Sequence, residues 1–283
     1  MASITLRSMV GITLALAGFL TSSSGHAITV QIDEFSVQKD GTSFFADTFS
    51  NNLTPTQEPG TYGVTGAFPA GAESGGSLTL NSDWGEPTTN ALGQSRSTLG
   101  VQLLSNVNPA NPAAGLTRAN QISVAGTFGL TTPSGPLING YGIQVQDIVL
   151  GQGQTRVAEL DVQYNDAFGG EVIRFLLQDF TTNTITTLGW VPLAAPAGAD
   201  QVRLQIGNAA GDTTDFFGSY AFGTAGSFGP WSTFATSAGL FTDTDFVRAR
   251  FIDYTDVAPI PEPGTLALVG VAALAGFARR RHP

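Results

Sequence analysis

The chain has 283 residues, 42% of them hydrophobic, enough apolar material to fill a sizeable core. Its 12 Lys and Arg against 22 Asp and Glu leave a net charge of −10, which speaks against nucleic acid as a partner. With no Cys, disulfides, thiolate metal sites and Cys nucleophiles are all excluded.

Residues Met1–Ala27 have the order of a secretory signal. Arg7 supplies the positive start, Val10–Leu20 is apolar, and Gly25-His26-Ala27 puts small residues at −3 and −1 of a cut between Ala27 and Ile28. A signal helix is expected here.

Beyond Ile28 the period is two. Ile28, Val30 and Ile32 alternate with Thr29, Gln31 and Asp33, and the same alternation returns at Ile122–Leu130, Tyr141–Gln146 and Val202–Gly207. Further strands are expected at Ser77–Leu80, Leu99–Leu104, Thr155–Tyr164, Glu171–Gln178, Thr184–Trp190, Phe216–Phe222 and Phe246–Tyr254. Asn139-Gly140 and Phe168-Gly169-Gly170 read as hairpin turns, and Thr54–Gly76 and Asn106–Gly115 as long loops. About eleven strands without a helical stripe predict an all-β fold. The expected architecture is a two-sheet antiparallel β-sandwich over 28–258, jelly-roll or legume-lectin-like, with the last strand beside the first.

The only His residues are His26 and His282, so the sandwich segment can build neither a Ser-His-Asp triad nor a His-ligated metal site. What remains is carboxylate chemistry. On a strand, Glu159, Asp161 and Gln163 point to one face. This stretch resembles the active strand of laminarinase-type glycoside hydrolases, which are themselves lectin-like sandwiches. The resemblance implies Glu159 as nucleophile and Asp161 as its helper. The acid/base position falls on Gln163, or on Tyr164 if a bulge is counted, and an amide cannot protonate a leaving oxygen. The weight of the reading is therefore on a protein that is not an enzyme, with no required cofactor. Asp212, Asp215, Asp243 and Asp245 are weak calcium candidates, closely spaced oxygen ligands that match no EF-hand loop. Short Asp-rich runs more often cap turns. Trp84 and Trp231 sit in loop-like contexts and are candidate glycan contacts, whereas Trp190 ends an apolar strand and reads as core.

The last 25 residues change character. Pro259-Ile260-Pro261-Glu262-Pro263-Gly264 breaks regular structure, Leu266–Ala278 is apolar without a charge, and Arg279, Arg280 and Arg281 close it. The stretch from Gly264 to Ala278 is short for a membrane span, yet flanking arginines can snorkel and would stop in the cytoplasm. A short transmembrane helix is expected. The order of Pro261-Glu262-Pro263, apolar helix and arginine cluster resembles the PEP-CTERM sorting signal of Gram-negative bacteria. That resemblance implies recognition of the tripeptide by an exosortase, transient residence in the inner membrane, and delivery to the envelope, cell surface or extracellular matrix, in association with biofilm exopolysaccharide. The domains expected are thus 1–27 signal peptide, 28–258 sandwich and 259–283 sorting signal. With both ends removed, eight basic and 21 acidic residues remain, a net charge of −13, and no Met or His is left. The function expected is that of an exported, non-enzymatic surface or matrix protein, and the alternative is a carbohydrate-binding module with or without calcium.

Overall fold

The computed structural model describes residues 27–257 apart from 59, 105–114, 118, 136, 150–154, 210–214, 235–240 and 242–245. The signal segment, the sorting segment, and Asp212, Asp243 and Asp245 lie outside the described residues.

Two antiparallel sheets account for nearly all regular structure. Sheet A runs β15 (Ser227–Phe228), β14 (Phe216–Thr224), β13 (Gln201–Asn208), β8 (Ile122–Gly129), β1 (Thr29–Lys39), β5 (Ser77–Asn81), β4 (Glu73–Ser74). β16 (Ser232–Thr233) pairs with β14 and β2 (Thr42–Asp47) with β1. Sheet B runs β12 (Thr184–Pro192), β11 (Gly170–Asp179), β10 (Arg156–Asn165), β9 (Asn139–Ile148), β17 (Phe246–Asp256), β7 (Ser95–Leu103), β3 (Tyr62–Thr65), with β6 (Glu86–Thr89) on β7. Among the described residues there is no α-helix, and no helix long and apolar enough to cross a membrane.

The alternation seen in the sequence puts one face of each sheet into a shared core. Val30, Ile32, Phe35 and Val37 of β1 are buried there, as are Ala158, Leu160 and Val162 of β10. The sheets meet ring against ring: Phe35 of β1 lies 5.0 Å from Phe251 of β17, and Phe128 of β8 lies 5.4 Å from Tyr141 of β9. Such pairs add to the stabilisation from burial itself, about 1.5–3 kcal/mol for a fully buried Phe.

Four expectations need correction. The first and last strands are not neighbours: β1 sits between β8 and β5 in sheet A, while β17 sits between β9 and β7 in sheet B. Asn139-Gly140 is not a turn but the start of β9, paired with β10 and β17. The segment Thr54–Gly76 is not one loop, since it contains a 3-10 turn at Pro55–Gln57 and the strands β3 and β4. Trp190 is not core but 43% exposed on the edge strand β12. By contrast Phe168-Gly169-Gly170 does turn β10 into β11, through a 3-10 turn and a left-handed Gly169.

Candidate functional site

Strand β10 carries Glu159, Asp161 and Gln163 on the face of sheet B that turns away from the core, as period two requires. Register fills the same face from neighbouring strands. Gln144 of β9 stands opposite Glu159, Arg174 of β11 opposite Asp161, and Arg250 of β17 opposite Gln144. An outer face of a two-sheet protein is ordinarily wet. Here Glu159, Asp161 and Gln163 are only 1%, 0% and 1% exposed.

The tip of the β6–β7 hairpin supplies part of the cover. Ala91 and Asn90 are buried, and the Ala91 amide donates to Gln178 Oε1 of β11 at 3.2 Å. In sheet B, β7 and β11 are separated by β17, β9 and β10. At about 4.8 Å per strand, that contact needs the tip to reach across the face. It also explains why Val157 and Leu176, apolar side chains on this outer face, are buried.

Beneath the tip the polar groups bind one another. Glu159 Oε2 accepts from Gln144 Nε2 at 2.6 Å and from Gln178 Nε2 at 2.7 Å. Gln144 Oε1 accepts from Gln146 Nε2 at 3.1 Å and from Arg250 Nη1 at 3.4 Å. Tyr254 donates its hydroxyl to Asp161 Oδ2 at 2.7 Å, and the Arg96 guanidinium lies 4.3 Å from the centre of the Tyr254 ring. Arg96 Nε is 3.1 Å from Asp256 Oδ1. A buried network of this kind costs desolvation that only mutual pairing offsets.

The electrostatics follow from burial. Desolvation pushes the Asp161 carboxyl well up, and the adjoining Glu159 pushes it further. Burial lowers the Arg250 guanidinium to about 10, against the pull of Glu159. Burial alone would lower Arg96 too, but Asp256, Tyr254 and the two β10 carboxyls hold it above its usual value.

Retaining glycoside hydrolysis uses two carboxyls about 5–5.5 Å apart, one on each side of the bond being cut. Asp161 holds the helper position beside Glu159, and the place of the second carboxyl on this face is taken by the amide of Gln163. Tyr164 points elsewhere, its hydroxyl donating to Asp166 Oδ1 at 2.6 Å. The structure thus brings the three β10 residues together on one covered face.

The remaining candidates are scattered. Trp84 closes a 3-10 turn at Ser82–Trp84 and packs on Phe68 with ring centres 6.5 Å apart. Trp231 is 43% exposed beside Arg203, whose guanidinium stands 5.8 Å from the ring centre on the outer face of sheet A. Trp190, which sequence reasoning set aside, is opposite Arg174 at the margin of sheet B, with Phe168 at 5.1 Å. A register shift between Thr187 and Gly189 brings it to the outer face although Leu188, two residues earlier, packs on the core. Asp215 is half-buried, and among the described residues no three acidic side chains converge as metal ligands. Ala27 lies two residues before β1.

Comparison with known proteins gives one decisive result. Residues 259–281 match the family model described as PEP-CTERM protein-sorting motif. The chain carries a PEP-CTERM sorting motif. The match covers Pro261, Glu262, Pro263 and the arginine cluster Arg279–Arg281 and none of the sandwich. Among curated proteins there is no match. One solved structure, described as lectin UEA-II complexed with galactose, aligns over 83% of this chain and 93% of its own. The two are 9% identical, with a TM-score of 0.36.

Proposed function

We propose that this is an exported, non-enzymatic protein of the cell surface or extracellular matrix, processed by an exosortase at Pro261-Glu262-Pro263. The match of 259–281 to the sorting motif carries this reading, since such a motif implies export and sorting to the envelope. The signal-like segment Met1–Ala27 agrees with it, and so does the sulfur-free, acidic body between the two ends. An arginine cluster after the apolar stretch would hold it in the inner membrane until cleavage. The test is intact mass of protein recovered from envelope and medium. Loss of about 20 C-terminal residues, abolished when Pro261, Glu262 and Pro263 become Ala, is expected; an uncut mass in both forms would overturn the reading.

The second reading is a carbohydrate-binding role for the sandwich, with exopolysaccharide of the matrix as the natural partner. Its support is the exposure of Trp190 and Trp231 on the outer faces of opposite sheets, since flat aromatic rings stack on sugar faces. A calcium-assisted form would draw on Asp212, Asp215, Asp243 or Asp245. Glycan binding that falls in Trp190→Ala or Trp231→Ala supports this reading; full binding in both variants removes it. Hydrolysis through Glu159 is the least supported, because the acid/base position on its face is the amide of Gln163.

A further inference from the structure

The outer face of sheet A holds a recess of about 130 Å³ lined by Gln38, Gln121, Ser123, Gln205, Asn208 and Phe217. That volume is room for about four waters, smaller than the usual pocket for a drug-sized ligand and on the scale of one sugar ring. No charged side chain lines it. Gln205 Nε2 donates to Ser123 Oγ at 2.7 Å, which fixes the amide plane and leaves its carbonyl oxygen for a ligand. The side-chain amides of Gln38 and Gln121 have no hydrogen bond among the described residues. Asn208 is the rigid floor: its carbonyl accepts from the Ile122 amide and its Nδ2 donates to Asn120 O at 3.1 Å.

The aromatic wall is held open by a missing side chain. Phe217 pairs with Gly207 of β13, and a Cβ at Gly207 would come within 3.2 Å of Phe217 Cζ. The ring therefore lies over the glycine backbone and presents its other side outward. Trp231 stands beside Arg203, four residues along the same strand from Gly207, or about 13 Å at the rise of a β-strand. Between the two rings stands Gln205, opposite the buried Ser219, whose hydroxyl pairs with Thr233 at 2.9 Å. Aromatic ends with side-chain amides between them suit a ligand that has apolar ring faces and equatorial hydroxyls.

We infer that this trough binds a neutral oligosaccharide, one sugar ring seated in the recess against Phe217 and the chain running toward Trp231. The inference rests on the carbohydrate-binding reading and adds the site and the charge class. Acidic polysaccharides are disfavoured because the recess offers no cation, Arg203 beside Trp231 is already paired with Glu34 at 3.6 Å, and the body between the two cleavage points carries −13.

The test is affinity electrophoresis of the full chain in gels containing laminarin, dextran, galactomannan or the anionic alginate. Retardation by at least one neutral polymer and none by alginate is expected. Gln38→Ala is at an exposed position and leaves the fold intact, so its melting temperature should equal that of the parent while retardation falls several-fold. Phe217→Ala should lower binding tenfold or more. No retardation by any neutral polymer, or stronger retardation by alginate, overturns the inference. Undiminished binding in both variants, with loss in Trp190→Ala, overturns this site while leaving a carbohydrate-binding role standing on the other sheet.

Discussion

The hydroxyl of Tyr254 on β17 reaches over β9 to Asp161 on β10, a 2.7 Å hydrogen bond between two side chains that are both buried. It ties together strands that share no backbone ladder, and it is the polar counterpart of the apolar core on the other side of the sheet. Removing the hydroxyl leaves the Asp161 carboxyl with one partner fewer, away from water. Tyr254→Phe should therefore lower stability by about 1–3 kcal/mol. Urea denaturation would show this as a lower midpoint at unchanged slope, and an unaltered midpoint would refute it.

A pH effect follows from two carboxyls buried on opposite faces of sheet B. Burial raises the carboxyls of Asp161 and Asp253 well above the ordinary range. The folded state thus holds their protons more tightly than the unfolded state. Their contribution to stability is complete below about pH 4 and is lost as pH rises toward the folded values. Between pH 4 and 7 the unfolding free energy carried by these groups should decline, and Asp161→Asn should flatten that decline. The comparison is urea midpoints at pH 4.5 and 7 for parent and variant; equal slopes in the two would count against a raised Asp161 carboxyl. Asp179 does not interfere in this window. Desolvation would raise it, but the Thr181 hydroxyl, backbone amides of Thr182 and Thr181, and Arg156 bring it down to about 2.

Glycine positions give a contrast of sign. A Cβ on Gly142 of β9 would stand 2.2 Å from Leu160 O and 2.7 Å from Asp161 Cα, backbone atoms of a paired strand that cannot swing aside. On Gly129 of β8 the nearest atoms are 3.8 Å away, an ordinary contact. Gly142→Ala should cost about 3 kcal/mol or fail to fold, and Gly129→Ala should change stability by less than about 0.5 kcal/mol. Thermal melts of the pair decide it, and similar melting temperatures would show that β9 and β10 are farther apart than described.

The hairpin tip gives a dynamic prediction. Gln178 Oε1 accepts from the Ala91 amide while Gln178 Nε2 donates to Glu159. Gln178→Ala removes both bonds at once. Hydrogen exchange at the Ala91 amide should then rise by an order of magnitude or more, while the amide of Leu160 in the β10 ladder stays protected. Unchanged exchange at Ala91 would mean that packing alone holds the tip down.

Much of this fold was open to reading because period two is a local property. Leu160 and Val162 against Glu159 and Asp161 separate core from outer face without knowledge of any other strand. What period two cannot say is whether an outer face is wet. The cover over Glu159 comes from Ala91, which is 68 positions earlier in the chain, and no window of sequence contains both. Asn139-Gly140 failed for a related reason. Asn-Gly has the dihedral freedom of a tight turn, but here the glycine serves close approach: a Cβ on Gly140 would lie 2.7 Å from Val162 O. Trp190 was misplaced because Leu188, two residues earlier, faces the core, and the register shift that turns the ring outward leaves no local sign. The Phe217 recess left no local sign, since its lining comes from β1, β8, β13 and β14 and the connections beside them.

The position of β17 has a consequence for how the protein comes into being. Sheet B is divided by that strand into β12-β11-β10-β9 on one side and β7-β3 on the other. The ladder joining the halves is supplied by Phe246–Asp256, and the sorting motif begins at residue 259. A chain threaded through a membrane from its N-terminus presents every other strand before this one. Sheet B therefore stays divided until Phe246–Asp256 has followed the rest of the chain across. Completion of the fold and arrival of the address fall within a few residues of each other, so a chain still missing its keystone is also one without a destination.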